Sequence, residues 1–149
     1  MHKLRTLNLP SHRGRDFFVT IFVEPDPNEF DSFEITTDAD EWGMSIHFQP
    51  DNPYASQVEV ARVDTTHGEP HFDRLYEPDQ PKDWLGQSYT YEQARRDFLT
   101  NWRDYAERTF KIITRANDDT IPFHRRNEAL YQEWLCNMRL PSPRVSVTI

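Results

Sequence analysis

The chain has 149 residues and a net charge of −8; 36% of its residues are hydrophobic and 13% are Phe, Trp or Tyr. That length suits one domain with its own core, and the large aromatic rings supply enough apolar area to exclude a disordered chain. The single cysteine, Cys136, excludes an internal disulfide and fits a reducing compartment, and the longest apolar run, FFVTIFV at 17–23, is too short to span a bilayer.

Residues 1–14, MHKLRTLNLPSHRG, contain no apolar run fit for a signal peptide. They read as a flexible arm with Pro10 and Gly14, leaving 15–149 as a single α+β domain. A cytoplasmic location without membrane contact is expected. RDFFVTIFVE at 15–24 is rich in β-branched and aromatic residues, which favours a strand. DPNEFDS reads as a polar turn, and EFDSFEIT as holding a short strand. From Asp16 to Ala61 there are eleven Asp or Glu residues and no Lys or Arg. Such a stretch repels phosphates, so it reads either as a solvated face or as a surface that meets a basic partner.

Trp42, Met44, Ile46 and Phe48 then alternate with Gly43, Ser45, His47 and Gln49, the clearest period of two in the chain. Pro50 and Pro53 end that strand. SQVEVARVD (56–64) and HFDRLYE (71–77) are the next strand candidates, joined by TTHGEP, in which Gly68 is free to take a positive φ. EPDQPKDWLGQS (77–88) reads as a Pro-rich loop that leaves the sheet. At 90–110, Tyr91, Ala94, Phe98, Trp102, Tyr105 and Thr109 recur in steps of three and four and predict an amphipathic helix. Thr90 and Gln93 fit a capping box. A loop at 114–121 leads to a second helix at about 122–138, with Phe123, Leu130, Trp134 and Met138 inward. Val145, Val147 and Ile149 alternate as a last strand. The expected fold is α+β: an antiparallel sheet of about 4–5 strands with two C-terminal helices packed on one face.

The chemistry concentrates in ARVDTTHGEPHFDRLYE (61–77). A turn centred between His67 and Gly68 pairs Asp64 with His71 and Arg62 with Asp73. Residues two apart point the same way, so all four share a face, with Val60 and Leu75 continuing it toward the core and Val63 and Phe72 on the other side. Three readings stay open. The pairs can simply fix register. His71, oriented by Asp64, can carry a proton in chemistry on a phosphate ester, with His67 as a second carrier and Arg62 or Arg74 gripping the phosphate. Or His67, His71 and Asp73, as H-x3-H-x-D with Asp64, can hold a metal. Neither a metal nor another cofactor is expected.

Elsewhere the signals are weaker. Cys136 reads as a small core residue. Asp38, Asp40 and Glu41 lack the glycine and spacing of a calcium loop. Arg95, Arg96, Arg103 and Arg108 line the polar side of the first helix, where Glu92–Arg96 and Asp104–Arg108 are each four apart and well placed to pair as ordinary solvated salt bridges; alternatively Arg96 and Arg103 align as a basic face for RNA, which His124, Arg125 and Arg126 extend. Nucleotide-loop, redox and hydrolase-elbow motifs are absent.

The run RVDTTHGEPH (62–71) resembles the Arg-x-Asp strand and His-bearing turn of small TumE-type toxins from toxin–antitoxin pairs, and related small proteins with a similar strand–turn–strand core. The resemblance implies a compact α+β protein acting on RNA or the translation machinery and held in check by a protein partner. It points to Arg62, Asp64, His67 and His71. Together the residues suggest a toxin–antitoxin or defence-type protein with His71, His67, Asp64 and Arg62 as catalytic groups and Arg74, Arg96 and Arg103 as substrate-binding groups, RNA being the substrate. The alternative is a non-enzymatic acidic protein, immunity- or antitoxin-like, that docks a basic partner protein.

Overall fold

In the computed structural model, which describes residues 1–50, 53–54, 56–77 and 80–114, the segments read as strands around 15–24 and 42–49 are strands and pair with each other. Strand β2 (Phe17–Glu24) lies antiparallel to β3 (Glu41–Phe48), so Phe17, Val19, Ile21 and Val23 stand opposite Phe48, Ile46, Met44 and Trp42. Directly opposed residues share a face, and this face is the core. The sheet continues through β4 (Val58–Asp64), β5 (His71–Asp73) and β6 (Lys82–Trp84), with β1 (His2–Asn8) on the other edge. Six strands thus form one antiparallel meander in chain order.

The long helix α2 (Tyr91–Thr114) covers the core face. Its stripe of Ala94, Phe98, Trp102, Ala106 and Phe110 is buried. Trp102 meets Phe17 at 5.2 Å between ring centroids, Phe110 meets Phe48 at 5.3 Å, and Phe98 meets Phe72 at 6.0 Å. Burial of each such side chain contributes about 1.5–3 kcal/mol. The predicted capping box starts the helix: the Gln93 amide donates to Thr90 Oγ1 at 3.1 Å, and the Thr90 amide donates to Gln93 Oε1 at 2.8 Å.

The α+β expectation holds, with six strands in place of four or five and one long helix among the described residues. The second helix at 122–138, the strand at 145–149 and Cys136 lie outside those residues. Three expectations are corrected. The 1–14 arm contains β1, an edge strand whose Leu4 and Leu7 pack on the core. A register shift between Lys3 and Arg5 brings both leucines inward at a spacing of three, which hides the period of two. The short strand expected at 29–36 is replaced by a 3-10 turn, Pro27–Glu29, and the short helix α1 (Ile35–Asp38). Local side-chain bonds win there: Asp26 accepts from the Asn28 amide at 2.9 Å and Asp38 from the Glu34 amide at 2.7 Å. Finally, the loop at 77–88 does not leave the sheet but returns as β6, which pairs Asp83 with Phe72.

Candidate functional site

The 65–70 turn forms because local groups satisfy it. The Asp64 carboxylate accepts from the Thr66 amide at 3.0 Å and from its hydroxyl at 2.6 Å, and Gly68 takes φ +81°, where any side chain would be strained. The result is the predicted register: Arg62 opposite Asp73, Val63 opposite Phe72, Asp64 opposite His71.

The assignment of faces is corrected. Val63 and Phe72 pack in or against the core under α2, while Arg62, Asp64, His71 and Asp73 point to the opposite face of the sheet. Residues opposite one another across successive strands extend this outer face. One row runs Lys3, Phe22, Gly43, Asp64, His71, Trp84, and the next runs Thr6, Thr20, Ser45, Arg62, Asp73, Lys82. A register shift in the β3–β4 pairing then matters. Ile46 faces Ala61, but His47 faces Glu59, so Val60 has no direct partner. The bulge reverses the alternation below it. Val60 is fully buried in the core, and Glu59 takes the place on the outer face where strict alternation predicted a valine.

Glu59 completes the charge cluster. Arg62 Nη1 donates to Glu59 Oε1 at 3.1 Å. Its Nη2 and Nε donate to Asp73 Oδ2 at 3.2 and 3.3 Å, and Nε also lies 3.4 Å from Asp64 Oδ2. Burial opposes the charge on Arg62, but Coulombic attraction to Glu59, Asp73 and Asp64, with the Asp73 hydrogen bond, outweighs it and raises its pKa above that of an ordinary guanidinium. Glu59 also accepts from the Ser45 hydroxyl at 2.6 Å. His71 is enclosed, with 2% of its side chain exposed. Its Nδ1 donates to the Glu69 carbonyl at 3.2 Å, and its Nε2 lies 3.0 Å from Asp64 Oδ1. Both ring nitrogens therefore face oxygen acceptors. The ring is sandwiched between the exposed His67, at 5.5 Å, and Trp84, at 5.2 Å.

The fold thus brings Arg62, Asp64, His71 and Asp73 together, with His67 above them. It does not bring the other arginines there. Arg74 is bonded to Glu77 at 3.0 Å and to Asp83 at 3.1 Å, and Asp83 belongs to the helix side of the ladder. Arg96 and Arg103 ride on α2, across the sheet, where Arg103 lies over the Trp102 ring. Of the two pairs expected on the helix, Asp104 and Arg108 meet at 3.1 Å, whereas Glu92 and Arg96 make no ion pair among the described residues. Sequence reasoning missed Glu59, Lys82 and Trp84. Glu59 is hidden by the bulge, and the other two sit on a strand of only three residues.

Ligand atoms of Asp64, His71 and Asp73 lie within 4.8 Å of one another, the spacing a metal ion needs. The cationic Arg62 guanidinium already touches both carboxylates, so a metal would have to compete with it.

A second feature lies at the corner between β2 and β3. Glu29, Asp31, Glu34, Asp40 and Glu41 make no ion pair among the described residues, and all but the half-buried Glu41 are exposed. In their midst Phe30 and Phe33 meet edge to face at 5.0 Å, with Phe30 37% exposed.

The family described as Domain of unknown function (DUF7718) matches residues 27–112, a span that takes in the acidic corner, the charged hairpin and most of α2. No curated protein and no solved structure matches the chain.

Proposed function

The chain belongs to the DUF7718 family, and we propose that this member is a non-enzymatic binding protein whose acidic corner docks a basic partner protein, as an immunity or antitoxin protein does. The observation that carries this reading is the set of carboxylates of Glu29, Asp31, Glu34, Asp40 and Glu41, which make no ion pair among the described residues, around the half-open Phe30–Phe33 pair. Interfaces are built this way, with an aromatic anchor inside a charged rim that steers the partner and excludes others. The hairpin supports the same reading from the opposite side. Its arginine is held by carboxylates and its buried histidine has both nitrogens engaged, so neither is free to grip a phosphate or exchange a proton with a substrate.

The test is co-purification from the native host followed by salt titration. A basic partner retained by the wild type should be lost from the E29Q/D31N/E34Q triple variant and weakened steeply by salt. A partner held equally by the triple variant, or the absence of any basic partner, overturns the reading.

RNA-directed toxin chemistry at the hairpin is the second reading, favoured by one observation: Asp64 and His71 form an Asp–His pair at 3.0 Å, the arrangement that orients a proton carrier. Expression of wild type beside His71→Ala decides it. Growth arrest and RNA cleavage by the wild type alone would favour the toxin; identical behaviour ends that reading.

A further inference from the structure

The outer sheet face carries an open groove of about 540 Å³ at the β1–β4 side, clear of the acidic corner and bordering the charged cluster through Ser45 and Glu59. That volume falls within the range of small-molecule sites. Its floor is polar. Thr6 and Thr20 hydroxyls lie 3.3 Å apart, and Thr20 lies 3.5 Å from His47 Nε2. Each hydroxyl has a single proton, and because these contacts are long that proton can turn from its neighbour to a bound oxygen. The walls are aromatic: Phe18 and Phe22 project from the same face of β2 on either side of Thr20, and Phe18 stacks on His47 at 5.5 Å between centroids.

The charges of the groove are unequal in their freedom. Its carboxylate, Glu59, is engaged by Ser45 and Arg62. Its ammonium, Lys3, makes no ion pair among the described residues. Burial, aided by Lys3 and opposed by the ring's hydrogen bond to the Ser45 backbone carbonyl, lowers the pKa of His47, so the ring stays neutral at neutral pH and adds no cation of its own. The groove therefore offers one uncommitted positive charge beside hydroxyl donors and two flat apolar walls. We propose that it binds a small organic anion, a carboxylate carried on a flat apolar body, with the carboxylate between Lys3 and the threonine hydroxyls and the body against Phe18 and Phe22. A single cation suits a monoanion.

The test is an amide NMR titration of the full chain with sodium 1-naphthoate, repeated with the neutral 1-naphthylmethanol and with the Lys3→Gln variant. Lys3 lies on an edge strand and is exposed, so the variant keeps the fold. Naphthoate should give saturable shifts confined to the amides around Phe18, Thr20, Ser45 and His47. The neutral analogue and the variant should each bind about fivefold or more weakly, as expected for loss of a partly exposed ion pair. Equal affinity for the alcohol, an unchanged Kd in Lys3→Gln, or no saturable shift at these amides overturns the proposal.

Discussion

His71 Nε2 stands 3.0 Å from Asp64 Oδ1 across the β4–β5 pairing, and both side chains are nearly out of solvent. The contact joins the two strands at the point where the chain reverses. Replacing His71 by alanine leaves a cavity between His67 and Trp84 and strips a partner from the buried Asp64 carboxylate. A loss of about 2–4 kcal/mol is expected, read as a lower urea midpoint at unchanged slope. A variant within about 0.5 kcal/mol of wild type would mean that the contact does not hold the hairpin.

Glu59 and Arg62 should be energetically coupled because the bulge puts them on one face. In a double-mutant cycle with Glu59→Gln and Arg62→Met, the interaction energy should be about 0.5–1 kcal/mol, since both side chains are partly exposed. Strict additivity of the two changes would argue against the bulged register.

Thr90→Ala should cost about 1 kcal/mol by removing the acceptor of the Gln93 amide. Thr90→Ser keeps the oxygen and should recover most of that loss in the same denaturation experiment.

Among the described residues, His47 and Glu107 have pKa values held down by the fold. His47 has a folded pKa below its ordinary 6.5, chiefly through burial, so protonation favours the unfolded chain. Its contribution to stability is complete above pH 6.5 and is lost as the pH falls through the folded value. Glu107 is also lowered, from 4.5, first by the hydrogen bond from Arg13, against burial, and with help from His12. Its contribution is present above 4.5 and is lost as acid protonates it. Thermal melts should thus fall in two stages below neutrality. The earlier stage should vanish in His47→Gln and the later one should shrink in Glu107→Gln; one unchanged slope in all three proteins would contradict both assignments.

The partial legibility of the site has a physical cause. The register from Arg62 to Asp73 could be read because a turn with Gly68 at its centre couples near neighbours, and a local geometry of that kind depends on few distant contacts. Glu59 could not be read in the same way. Its face depends on a bulge opposite β3, and a bulge is a property of two strands packed together. Trp84 and Lys82 are similar: β6 is three residues long and exists because β5 offers it a ladder.

Composition, alternation and capping chemistry by themselves determined β2, β3, the extent of β4, the hairpin register and the start of α2, because each rests on residues close in sequence. Only the tertiary structure decided which sheet face α2 covers, that residues 2–8 and 82–84 join the sheet, and that the charged hairpin looks away from the helix. Those outcomes follow from burying the larger apolar face against Phe98, Trp102 and Phe110, a competition between whole surfaces that no local segment can settle.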